Sequence, residues 1–324
     1  MFKKLSRTAT TAVVMAVAAV AAVAAISPAP ASATSAPLDR VRIAAHFDLD
    51  RGQLPENIAL APDGSAYVTF AFARQVAELT RTGATRILAT LPAPADGGVH
   101  TPAMGRALTT GIVRADDGTL YVLYATGTPD LTGLWRLRPG GEPRRIAALP
   151  ATGLPNGLAL DPYTRTLYIT DSVLGTIWSV PATGGTPTAW STAPELAPDG
   201  FLGANGLKIH NGAVWATNLD HGTVLRIPIL RSGRAGTVQT RATGLPGIDD
   251  FAFTGRGDQL LAALNGPGEV ALVQPDGSHS TVLTAADGLQ NPTSVALRGN
   301  TVYVPSAAYV TAKDPNLVLA HLHR

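Results

Sequence analysis

LPNGLALDPYTRTLYITDSVLGTIWSV, residues 154–180, decides how this chain is read. Pro-Asn-Gly leads into an alternating apolar run, a turn follows, and two further apolar-polar runs complete the segment. The same phrase returns five times, as ENIALAPDGSAYVTF from Glu56, TGIVRADDGTLYVLY from Thr110, NGLKIHNGAVWATNLDHGTVLRI from Asn205, DDFAFTGRGDQLLAALNGPGEVALV from Asp249 and TSVALRGNTVYVPSA from Thr293. A repeat of roughly 45 residues built of short strands predicts a β-propeller, here all-β and six-bladed. A β-sandwich needs no such period.

Each copy parses into strands a to d. The innermost strand, a, is expected at 58–60, 112–114, 158–160, 207–209, 251–253 and 295–297. Asp- or Asn-Gly pairs such as Asp63-Gly64, Asp117-Gly118 and Asn211-Gly212 follow as hairpin turns. Strand d is clear in TRILATL (85–91) and RRIAAL (144–149). The closest likeness of RRIAALPATGLPN is VRIAAHFDLDRGQLPEN, 41–57, ahead of the first repeat, whereas the sixth repeat runs out at 317–322 without an outer strand. The N-terminal segment is therefore expected to complete the last blade and close the ring, hiding strand edges that invite aggregation.

The first 33 residues read as a secretory signal peptide. Lys3, Lys4 and Arg7 precede an apolar run at 12–26, and Ala31-Ser32-Ala33 offers small residues for cleavage. The apolar run is shorter than the ~20 residues that span a bilayer. The expectation is a secreted, monomeric chain, with 34–324 as a single propeller domain and no membrane attachment after cleavage. Three of 25 Lys and Arg lie in the signal, leaving 22 against 23 acids and a mature charge of −1. That balance gives no electrostatic case for nucleic acid. The chain has no Cys, so no disulfide contributes to stability.

In a propeller the first residues of the inner strands converge on the central channel. That column reads Glu56, Thr110, Asn156, Asn205, Asp249 and Thr293, and every side chain carries oxygen. Two carboxylates and two amides suit Ca²⁺, or Mg²⁺ or Mn²⁺ with retained water, and no His-Cys grouping points to zinc there. The alternative is a solvated polar channel without a metal, with Asn-Gly serving as turn chemistry. The b–c loops are expected on the same rim and contribute Phe72, Arg74, Tyr124, Asp171, Asn218, Asp220, His221, Asn265 and Tyr309. The long connection over 92–111 adds His100 and Met104. His100, Tyr124, Asp171 and Asn218 are the expected substrate contacts, and Asp249 and His221 the expected proton carriers. Trp135, Trp178, Trp215 and Trp190 read as structural.

At PNGLAL…LYITDS…GTIWSV and GANGLKI…GAVWATN…GTVLRIP the chain resembles the SMP-30/gluconolactonase/luciferin-regenerating-enzyme superfamily of six-bladed propellers. The likeness covers nearly the whole mature chain and is motif-like over 155–228. It implies a channel metal, often calcium, held by a Glu, two Asn and an Asp, that polarises a lactone or ester carbonyl while the Asp assists as base. PENIAL places that Glu at Glu56, and PNGLAL places an Asn at Asn156. The fourth copy departs from the pattern with Asn205 in the place of Asp. The second has Thr109-Thr110-Gly111 for Asn-Asp-Gly. An amide takes no proton as a carboxylate does, so Asp249, one blade on, is the expected replacement. Two functions follow as expectations: a metal-dependent hydrolase of lactones or related esters, with Glu56, Asn156, Asn205 and Asp249 as ligands, or a non-catalytic propeller that binds a small ligand, glycan or protein on its rim. A condensing enzyme like strictosidine synthase is similar only in architecture.

Overall fold

A computed structural model describes residues 37–323; the expected signal segment lies outside the described residues. Strand β1 (Leu38–His46) comes first and is placed last. Blade 1 is β2 (Pro55–Leu60), β3 (Ala66–Phe70), β4 (Gln75–Leu79) and β5 (Thr85–Thr90). Blade 2 is β6 (Leu108–Arg114), β7 (Leu120–Ala125), β8 (Gly133–Leu137) and β9 (Arg144–Ala148). Blade 3 is β10 (Pro155–Asp161), β11 (Thr166–Asp171), β12 (Thr176–Pro181) and β13 (Thr188–Ser191). Blade 4 is β14 (Ala204–His210), β15 (Ala213–Asn218), β16 (Thr223–Pro228) and β17 (Gln239–Ala242). Blade 5 is β18 (Ile248–Phe253), β19 (Leu260–Leu264), β20 (Glu269–Val273) and β21 (His279–Leu283). Blade 6 is β22 (Ala296–Arg298), β23 (Thr301–Ser306) and β24 (Asn316–Leu322).

Each sheet is antiparallel in sequence order, save the last, whose order is β1-β24-β23-β22. β1 pairs with β24 from Leu38 opposite Leu322 to His46 opposite Asn316, so the N-terminal strand is the outer strand of blade 6, as the repeat predicts. The hairpin turns follow from residue type: at the β14–β15 turn both Asn211 and Gly212 adopt positive φ, 47° and 66°, a conformation those two residues tolerate best.

Burial lies between blades. Val76 of blade 1 meets Ile112 and Val122 of blade 2. Leu123 and Leu134 meet Leu167 and Ile169, and Ile177 meets Val214 and Leu225. Trp215 and Val224 meet Phe251 and Leu260. Leu261 and Val270 meet Val302 and Val318. The ring returns to its start where Leu317, with Ala44 and Phe47, packs on Val68 and Leu79. Each strand thus presents apolar side chains to a neighbouring blade, and every such side chain removed from water contributes about 1.5–3 kcal/mol. Among the described residues, no helix is long and apolar enough to cross a membrane.

Candidate functional site

The inner strands are not regular at their first residues. Their pairing registers shift between Pro55 and Asn57, Thr109 and Ile112, Pro155 and Leu158, Ala204 and Leu207, and Ile248 and Phe251. Each interruption brackets a column residue. A bulge re-aims a side chain, and here it turns Glu56, Thr110, Asn156, Asn205 and Asp249 into one cavity at the mouth of the shaft.

Threonines on the second strands lock this arrangement. The Thr69 hydroxyl accepts from the Asn57 amide at 3.1 Å and donates to the Thr110 carbonyl at 2.6 Å. Thr170 accepts from the Gly157 amide and donates to the Asn205 carbonyl. Thr217 accepts from the Gly206 amide at 2.7 Å and donates to the Asp249 carbonyl at 2.5 Å. Each hydroxyl therefore ties its own inner strand to the column residue of the next blade. The glycine after a column residue has the same origin. A Cβ on Gly157 would lie 2.2 Å from the Asn205 carbonyl oxygen. Its φ is not positive, so Asn156-Gly157 belongs to a strand in close interblade contact and not to the turn the sequence pattern indicates.

The cavity measures about 490 Å³ and has two zones. Its floor is polar: Glu56, Asn156, Asn205, Asp249, Thr110 and Asn265. Its wall is apolar, chiefly Phe72, Leu108, Leu154, Leu202 and Phe201, with Met104, Leu219 and Val310. Arg106 stands at the rim with its guanidinium 4.6 Å from the Phe72 ring centroid. Thr110 and Thr293 spend their hydroxyls on the Pro155 and Pro55 carbonyls, at 2.8 and 2.9 Å.

Burial dominates the electrostatics. It raises the Glu56 carboxyl to about 7; the Tyr309 hydroxyl, donating at 2.6 Å, opposes the rise, and the Asp250 charge adds to it. Asp249 is pushed well above the usual carboxylate range by burial first, then by the charges of Glu56 and Asp250. A hydrogen bond from Asn205 and the charge of Lys208 act against this. Burial, followed by the Glu56 charge, raises the Tyr309 phenol well above its usual value. Two like acids close together in low dielectric hold a proton at neutral pH unless a cation joins them. The neighbouring Asp250 already has a cation of its own. Lys208 donates to both its oxygens at 2.6 Å, and Asn57 and Ser294 donate to Oδ2 at 3.1 and 2.8 Å.

The donor set at the floor fits a hard divalent ion. Asn156 donates its amide N–H to Ser172 and Asn205 donates its own to Asp249, which leaves the amide oxygens for a ligand beside two carboxylates. Ca²⁺ takes 6–8 such oxygens, water or substrate completing the shell.

The expected substrate contacts lie elsewhere. Tyr124 is wholly buried, donates to the Pro92 carbonyl at 2.7 Å and packs edge-on against Trp135. Asp171 is wholly buried and accepts from the amides of Leu154, Val173 and Leu174. Asn218 is wholly buried, donates to the carbonyls of Glu195 and Ala197, and accepts from the His221 amide. His221 and His100 are exposed and line none of the cavity. These rim polar groups satisfy loop backbone. Sequence reasoning passed over Phe201, Leu202 and Arg106 as cavity walls, and over the Lys208–Asp250 support. A lysine three residues beyond a column Asn was the available signal for the latter.

No family model matches the chain, and no curated protein matches it in sequence. Solved structures match in fold. A calcium-binding protein, regucalcin, from Agrobacterium tumefaciens is 17% identical over 86% of this chain and 94% of that one, with a TM-score of 0.61. A gluconolactonase from Xanthomonas campestris is 15% identical over 90% and 93%, also at 0.61. Virginiamycin B lyase from Staphylococcus aureus is 16% identical over 84% and 82%, at 0.59. The fold is shared with lactonase-like propellers and with a lyase alike.

Proposed function

We propose that this chain is an exported, divalent-metal-dependent hydrolase of lactones or related esters, acting at the cavity floored by Glu56 and Asp249. One observation carries the reading. Glu56, Asn156, Asn205 and Asp249, from four blades, line a single cavity, and the two acids are buried together while the neighbouring lysine is engaged by Asp250. Likeness in fold to a calcium-binding protein and a gluconolactonase supports it.

Ca²⁺ is the ion the oxygen-only floor suits best, and when bound it would supply Lewis acidity toward a carbonyl and acidify water. Glu56, Asn156, Asn205 and Asp249 would hold it. Asp249 is the group placed to take a proton from water: it is a buried carboxylate on the cavity lining, and burial raises its proton affinity above that of an ordinary carboxylate. Tyr309 holds Glu56 in one orientation. Phe72, Leu108, Leu154 and Phe201 give the ring of a small lactone an apolar seat and keep bulk water from the floor. Arg106 at the rim faces a polar or anionic substituent. The test is a panel of small lactones assayed with the full-length processed protein, with EDTA and with Ca²⁺ restored. Hydrolysis lost to EDTA, restored by Ca²⁺ and lost in Asp249→Ala supports the reading. Hydrolysis indifferent to both removes it.

A second reading, a non-catalytic receptor for a small ligand, draws on the absence of any imidazole lining the cavity and on its largely apolar wall. It expects ligand-dependent thermal stabilisation with no turnover of the bound compound.

A further inference from the structure

The closure seam carries a second set of ligands, remote from the cavity. Asp39 lies on β1 directly opposite His321 on β24. His323 follows two residues later, and alternate residues of an extended strand share a face. Asp39 Oδ1 is 3.3 Å from His321 Nδ1, and Asp39 Oδ2 is 3.1 Å from His323 Nε2. The three residues offer ligand atoms that all lie within 4.8 Å of one another.

Neither contact is a hydrogen bond. Asp39 Oδ1 and His321 Nδ1 are shielded from solvent and have no hydrogen-bond partner, a costly state for two polar atoms so close together. Their spacing instead suits a shared cation. Ligands placed 2.0–2.2 Å from a tetrahedral Zn²⁺ sit about 3.4 Å from one another. Two imidazoles and a carboxylate are a donor set for Zn²⁺ and its neighbours, unlike the oxygen-only cavity floor. Arg40 Nε lies 3.9 Å from Asp39 Oδ2, but its side chain is 78% exposed and free to turn outward.

We propose that Asp39, His321 and His323 form a Zn²⁺ site that fastens the N-terminal strand to the C-terminal strand, with water in the fourth position. A clip between residues so distant in the chain closes a very long loop, where a cross-link gains most in principle. It performs this in a chain that has no cysteine to do it.

The test is calorimetric titration of metal-free, full-length processed protein with ZnCl₂, in wild type, Asp39→Asn, His321→Ala, His323→Ala and Glu56→Gln. With excess Ca²⁺ present to fill the cavity, wild type should bind one Zn²⁺ at the seam, and Glu56→Gln should bind Zn²⁺ there equally well. Loss of a ligand should weaken binding at least as much as loss of a supporting partner does, about 10–100-fold. His323 lies beyond the last residue of β24, so His323→Ala retains the strand pairing and reports on the metal alone. Hydrogen exchange provides a second readout: Zn²⁺ should slow the β1 amides in wild type and leave them unchanged in His323→Ala. Absence of saturable binding, or an affinity unaffected by Asp39→Asn and His323→Ala, overturns the proposal.

Discussion

Replacing Glu56 by Gln should stabilise the metal-free protein, but only at high pH. Gln is nearly isosteric and keeps an oxygen to accept from Tyr309, so the change isolates the charge. Burial raises the Glu56 carboxyl from the usual 4.5 to about 7. At about 1.36 kcal/mol per pKa unit that rise corresponds to on the order of 3 kcal/mol against the ionised form. The folded state holds this proton where the unfolded chain has released it. Stability is therefore greatest below about 4.5, falls as pH rises through 7, and is level beyond. Wild type should lose on the order of 3 kcal/mol across that interval through this group, and Glu56→Gln should not. The difference corresponds to about 5 °C in Tm for a chain of this size. Urea unfolding of EDTA-treated protein from pH 4.5 to 9 measures it. Calcium added at pH 8 should stabilise wild type and leave the variant unmoved. A variant equally less stable than wild type at pH 5 and pH 9 would refute the reasoning, because it would mean that the carboxylate is accommodated without strain.

Other consequences can be measured in the same way. Tyr309→Phe removes a hydrogen bond that favours the Glu56 carboxylate, so the pH at which calcium begins to stabilise the protein should move upward in a thermal-shift series. Lys208→Met leaves the buried Asp250 without its cation and should cost roughly 3 kcal/mol in urea unfolding, the low end for a broken buried pair because Lys208 is partly exposed. Gly157→Ala forces a Cβ against the Asn205 carbonyl and should cost roughly 2–3 kcal/mol or more, read from the same unfolding curves. Phe72→Ala opens the apolar wall and should raise KM for lactones with bulky rings more than it lowers kcat.

What the sequence revealed and what it hid have physical causes. The blades were legible because strand alternation and Asp/Asn-Gly turns repeat locally, and the misplaced outer strand could be seen as RRIAAL-like text at the wrong end. The column was legible because symmetry brings equivalent residues to one axis. The rim was not. Tyr124, Asp171 and Asn218 sit at the ends of their second strands, where a polar residue serves either a substrate or stranded loop amides and carbonyls, and sequence alone does not distinguish the two. Each was taken up by backbone. The glycine after Asn156 misled for a related reason: Asn-Gly signals a turn locally, whereas here the next blade's main chain leaves no room for a side chain. The pairing of Asp250 with Lys208 depends on two blades meeting: the position of Lys208 three residues beyond Asn205 marks the lysine, but not the partner it meets.

The β1–β24 seam also sets an order of events. Residues 38–46 are among the first of the described chain to be made, and their partners at 316–322 are among the last. Five blades have their strands in hand before the sixth can be finished, and until then blade 6 lacks its outer edge while β1 has nowhere to dock. Such distant pairing slows folding, and it makes completion of the circle an all-or-nothing checkpoint. A chain that lacked residues 316–322 would leave 38–46 with no strand to dock on.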